Sequence, residues 1–72
     1  MKNKITEILT ETLECEVNEN TSMESCEEWD SFNHINIIIE LKSQFNIDIP
    51  TDDISLLNSY SNIVNYIKNK QN

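Results

Sequence analysis

Not one of the 72 residues is glycine, and Pro50 is the only proline. Without glycine the chain lacks the residue that the primed turns of β-hairpins demand. It also lacks the residue that lets a loop close around a phosphate, so P-loop and dinucleotide-binding turns are excluded. The lack of glycine therefore argues against a fold built from such hairpins. A chain of 72 residues makes one domain, spanning 1–72, and a domain of this size buries only about 60% of the surface its unfolded form exposes. The core is thin and leaves little room for a deep active site, which favours a binding or carrying role.

Hydrophobic spacing places the helices. Ile5, Ile8, Leu9, Thr12 and Leu13 recur at helical intervals and predict an amphipathic helix from Lys4 to about Glu14. Acidic and small polar residues dominate from Cys15 to Asp30, broken by Val17, Met23 and Trp29; such a long connection inside a small domain tends to be functional. A second helix is predicted from Ser31 to Phe45, with Asp30 as its N-cap and Asn46 as its C-cap. Ile47-Asp48-Ile49-Pro50 reads as a short extended piece closed by proline. Thr51 or Asp52 is the expected cap of a one- or two-turn segment holding Ile54, Leu56 and Leu57. Ser59 caps a last helix carrying Tyr60, Ile63, Val64, Tyr66 and Ile67. The expected fold class is all-α, a four-helix bundle of three main helices and one short helix.

The second helix carries more apolar surface than one buried stripe needs. Its apolar positions cover an arc of about 220°, against a usual stripe of a little over roughly 100°. Two ridges divide that arc. His34, Ile37, Ile38, Leu41 and Phe45 form one; Phe32, Ile35 and Ile39, with Lys42 below them, form the other. Either the helix is packed on both sides, or one ridge is core and the other a docking stripe. The wheel alone does not say which ridge faces out.

Thirteen acidic residues against five basic ones give a net charge of −8. That surface repels nucleic acid; it either complements a basic protein partner or merely keeps a small protein soluble. No stretch approaches the roughly 20 apolar residues of a membrane span, and the start of the chain has no signal-peptide core. The expectation is a cytoplasmic, monomeric protein with no membrane partner. Cys15 and Cys26 lack metal-like spacing. A zinc site would require both, His34 and a carboxylate to converge, so no metal is expected, and the pair is read as free thiols with a single disulfide as the alternative.

Cys26-Glu27-Glu28-Trp29-Asp30-Ser31-Phe32, the Ile-rich helix after it, Phe45-Asn46-Ile47-Asp48-Ile49-Pro50 and the closing Ile63-Val64-Asn65-Tyr66-Ile67 together resemble the acyl carrier proteins and their peptidyl carrier relatives. The family's Asp-Ser-Leu attachment motif stands here as Asp30-Ser31-Phe32, fourteen residues before Phe45 and nineteen before Pro50. The resemblance covers essentially the whole chain. It implies a bundle of the acyl-carrier type, no catalysis by the chain itself, and a 4'-phosphopantetheine arm from coenzyme A on Ser31, with acyl or aminoacyl groups held on it as thioesters. The implied partners are a phosphopantetheinyl transferase, an acyl- or aminoacyl-loading ligase and downstream acyl-using enzymes. The implied partner face is Phe32, Ile35, Asn36, Ile39 and Lys42.

Two departures bear on that reading. Fatty-acid-synthesis carriers usually have acids on the partner face, where this chain has Asn33, Asn36, Lys42, Ser43 and Gln44 and keeps only Glu40. The negative charge lies instead in the preceding loop, at Glu24, Glu27, Glu28 and Asp30, which points to a dedicated partner set. Ile54 stands where many such carriers have a small residue near the acyl pocket, which implies short or polar cargo, or cargo held outside the bundle. His34 is expected to be a partly buried histidine bonded to the loop rather than a base for Ser31, and Trp29 a staple on the helix start. The alternatives are an unmodified helical interaction module and a small thiol or metal protein built on Cys15, Cys26 and His34.

Overall fold

The computed structural model describes residues 2–70 and is all-α: α1 (Lys2–Leu13), α2 (Ser31–Phe45), α3 (Thr51–Ile54) and α4 (Tyr60–Lys70). Three of the four are full helices, and α3 is a single turn. Among the described residues there is no strand; one isolated antiparallel bridge joins Ser22 to Ser59. No described helix is long and apolar enough to cross a membrane.

Helix α1 buries Ile5, Ile8, Leu9 and Leu13, the stripe its spacing predicts. It begins two residues earlier than expected and stops one residue short of Glu14. The reason is conformational: Glu14 turns left-handed, at φ 55°, and its N–H closes back on the Thr10 carbonyl at 2.8 Å. A chain with no glycine must fill such helix ends with other residues, and here Glu14 and Asn46 do so. Asparagine tolerates this region; for glutamate it costs on the order of 1–2 kcal/mol.

Helix α2 has both expected caps. The Asp30 carboxylate accepts from the Asn33 N–H at 2.9 Å, and Asn46, at φ 52°, donates its own N–H to the Lys42 carbonyl. The expected cap of α3 is not found. Neither Thr51 nor Asp52 caps it; Pro50 occupies the N-cap position without a side-chain bond, and its carbonyl accepts from the Asp53 N–H at 2.9 Å. Proline has φ already near the value that helix entry requires, so no polar cap is needed to start so short a turn. Leu56 and Leu57 fall after the helix, in turns whose N–H groups bond back to Asp53 and Ile54. Ser59 does cap α4, accepting from the Asn62 N–H at 3.1 Å, and α4 runs past Ile67 to Lys70.

One core unites the elements. Ile5, Leu9, Ile37, Leu41, Ile63 and Ile67 are fully enclosed, and α1 packs on both α2 and α4. The long connection between α1 and α2 is ordered by hydrogen bonds to the start of α4. Tyr60 N–H donates to Thr21 and Met23 N–H to Asn58, at 2.9 and 3.0 Å, and Ser61 Oγ reaches the Glu19 carbonyl. On the other side of α4, the Tyr60 hydroxyl meets Thr6 Oγ1 at 3.0 Å and the Lys2 carbonyl at 3.3 Å. No buried side-chain polar atom among the described residues lacks a partner.

Candidate functional site at the start of helix α2

The site is the junction of the ordered loop with α2. Ser31 is the first residue of that helix and is exposed to solvent. Asp30 sets the junction: its backbone is extended, its carboxylate caps Asn33, and its carbonyl accepts the first intrahelical bond, from His34 N–H, at 2.8 Å. The amides of Ser31 and Phe32 belong to the turn that has no intrahelical acceptor. They and the helix dipole favour negative charge beside Ser31.

Behind the junction, Trp29 and His34 form a buried pair. The indole N–H donates to His34 Nδ1 at 3.0 Å, with ring centroids 6.1 Å apart. Nδ1 is thereby the acceptor, so Nε2 carries the proton of the neutral ring and donates to the Ile54 carbonyl at 2.7 Å. Trp29 is 2% and His34 6% exposed. Trp29 thus occupies the position before the cap and meets the fourth residue of the helix, the geometry of a staple. Both ring nitrogens of His34 are committed, one to the loop and one to α3. The ring is a structural tie rather than a base directed at Ser31.

The two ridges of α2 separate cleanly. His34, Ile37, Ile38 and Leu41 are buried, with Phe45 half-buried against the core. Phe32 is 76%, Ile35 47% and Ile39 57% exposed. Lys42 is exposed below them, whereas Asn36 is half-buried. Asn36 and Ile39 line a surface groove of about 340 Å³ whose other wall is Ile8, Glu11 and Thr12 of α1. Ile38, Leu41 and Leu57 meet in the core with Ile54 half-buried against it.

Three features were not foreseen. Asn33 Nδ2 donates back to the Glu28 carbonyl at 2.7 Å, so the first turn of α2 holds the loop two residues before its cap; no sequence signal marked this bond. Leu56 is 58% exposed and lines a depression with Leu57, Asn62 and Tyr66. Cys15 and Cys26 bring their sulfurs to 3.1 Å, and Cys26 also lies 3.4 Å from a Glu28 oxygen. Burial, then the hydrogen bonds with Cys15 and Glu28, pushes the Cys26 thiol up to about 11. His34 takes no part in this cluster.

No protein-family model matches the chain, and no curated protein matches it. The resemblance to carrier proteins therefore rests on the sequence motifs alone.

Proposed function

We propose that the chain is a carrier protein of the acyl or peptidyl type, in which Ser31 receives a 4'-phosphopantetheine arm. The observation that carries this reading is an exposed serine in the first turn of a capped helix, directly beside an exposed apolar ridge. The arm would supply a terminal thiol on which acyl or aminoacyl groups ride as thioesters. The chain's own contribution is to present the hydroxyl. Asp30 fixes the helix start, Trp29 and His34 lock the loop behind it, and the free amides favour the phosphodiester that forms on Ser31 Oγ.

The ridge of Phe32, Ile35 and Ile39, with Asn36 and Lys42 at its border, is the surface that a transferase, a loading ligase and downstream acyl-using enzymes would share. Exposed apolar side chains of this size are a partner surface in a small domain. Glu24, Glu27, Glu28 and Asp30 are all exposed and offer negative charge in front of Ser31, so basic rims suit these partners. On the helix itself Lys42, Ser43 and Gln44 are exposed, and Gln44 lies 3.5 Å from the Glu40 carboxylate. This face differs from that of fatty-acid-synthesis carriers and supports a dedicated pathway. Ile54, half-buried against the core beside Ile38, Leu41 and Leu57, favours short or polar cargo.

The test is intact-mass measurement after incubation with coenzyme A and a broad-specificity phosphopantetheinyl transferase. A gain of one phosphopantetheine that Ser31→Ala abolishes is the expected result. An unchanged mass overturns the reading and leaves an unmodified helical interaction module. Efficient extension of the loaded protein by fatty-acid elongation enzymes would count against the dedicated pathway.

A further inference from the structure

The Ser31 junction leaves one chemistry-bearing cluster unused. Cys15 lies just beyond the left-handed end of α1 and is half-buried; Cys26 is buried in the loop, where its N–H bonds to the Ser22 carbonyl. Eleven residues apart in sequence, their sulfurs approach to 3.1 Å. Glu28 is exposed and brings a carboxylate oxygen to 3.4 Å from the Cys26 sulfur. One ligand atom from each of the three lies within 4.8 Å of the others. They share a depression of about 270 Å³ with Glu16 and Glu27 on its rim.

We propose that Cys15, Cys26 and Glu28 bind one thiophilic divalent cation of the zinc class. Two sulfurs and one oxygen are the donor set that a borderline-soft ion takes, and a calcium or magnesium ion would want oxygens only. Tetrahedral bonds of about 2.3 Å to sulfur and 2.0–2.2 Å to oxygen set sulfur–sulfur edges near ~3.8 Å and sulfur–oxygen edges near ~3.5 Å. The Cys26–Glu28 edge already fits, and the sulfurs need to part by less than about 1 Å. Water, Glu16 or Glu27 would complete the fourth position. Binding releases the two thiol protons to solvent, leaving two thiolates and a carboxylate around the ion. Packing of a small apolar thiol explains why Cys26 is buried, but it does not explain a second sulfur and a carboxylate converging on it. A bound ion would tie the end of α1 to a residue two before Asp30, whether or not Ser31 carries an arm.

The test is titration of the full, fully reduced chain with Co²⁺ under anaerobic conditions, followed by displacement with Zn²⁺. One Co²⁺ per chain is expected, with an intense thiolate-to-cobalt charge-transfer absorption that Zn²⁺ removes. Cys15→Ala should abolish the absorption, with helix content checked by far-ultraviolet circular dichroism. Because cysteine variants disturb the core, Glu28→Gln at an exposed position supplies the fold-preserving variant. It should weaken binding by at least about 10-fold, as even the hydrogen-bonding partners of metal ligands do. No thiolate absorption from the folded, reduced protein overturns the proposal, as does a cobalt site unchanged in Glu28→Gln. If the reduced chain binds no cobalt and instead loses two hydrogens to a low-molecular-weight disulfide, forming a Cys15–Cys26 bond, the pair is a redox staple and not a metal site.

Discussion

The two ridges of α2 are made of nearly the same residues and do opposite work. Ile37, Ile38 and Leu41 are enclosed by α1 and the rest of the core, while Phe32, Ile35 and Ile39, on another side of the wheel, face solvent. Hydrophobicity does not distinguish them; partners within the chain do. The buried ridge begins with His34, whose two ring bonds draw the loop and α3 onto that side of the helix. Nothing equivalent reaches over Phe32. A helix apolar on both sides thus buries one ridge in the core and leaves the other in solvent.

Truncation on the enclosed side should break the domain. Trp29→Ala is expected to cost about 3–5 kcal/mol, enough to unfold much of a domain this small, as urea denaturation would register. If Trp29→Ala unfolds no more easily than the wild type, the loop is not part of the enclosed side. His34→Ala orphans the Trp29 N–H and the Ile54 carbonyl and should cost about 1–3 kcal/mol. Its signature would be loss of stability with little loss of helix at low denaturant.

The alkaline limb separates the support of the enclosed side from its packing. Tyr66 donates to Asp53 at 2.6 Å, tying α4 to the turn whose Ile54 carbonyl holds His34. Burial, and then the Asp53 carboxylate, pushes the Tyr66 phenol up to about 12. The folded form therefore keeps its proton while the unfolded form loses it near its ordinary value of about 10. Stability from this group is complete below about pH 10 and falls as pH rises toward 12. Tyr66→Phe should remove its share of that fall; an unchanged alkaline limb would mean that Tyr66 contributes none of it.

Smaller effects test the ends of the comparison. Glu14→Gly should stabilise by about 0.5–1 kcal/mol, because relief of the left-handed strain exceeds the entropy that glycine adds to the unfolded chain. Thermal melts resolve a gain of that size in a short domain. On the open ridge, Phe32→Ala and Ile39→Ala should change stability by less than about 0.5 kcal/mol while slowing modification of Ser31. A large loss of stability in either would show that the open ridge is also structural.

The helices were legible because each carries its own local signal. Ile5 through Leu13 repeat at helical intervals, and Asp30, Asn46 and Ser59 are good cap residues standing where caps occur. The start of α2 at Ser31 was legible for the same reason, since its cap Asp30 stands next to it in the chain. Contacts that close across the fold were less visible. Glu14 is no residue to expect in the left-handed region, so the end of α1 was misplaced by one. Thr51 and Asp52 looked like caps, but Pro50 had already set the entry angle. The Cys15–Cys26 contact depends on how the loop folds back, and His34 binds Ile54 across α2 and α3; no spacing in the sequence encodes either.

The loop's attachment to α4 sets an order in time. Thr21 and Met23 find their backbone partners in Tyr60 and Asn58, nearly forty residues later. Trp29, Glu28 and Cys26 have partners in α2 and at the end of α1, but the stretch around Thr21 and Met23 lacks its backbone partners until the start of α4 has been made. A chain cut after Ser55 should hold its loop open, with fast hydrogen exchange at Met23, and so offer Ser31 on an unfinished surface. Loop amides as protected in that fragment as in the full chain would refute this order.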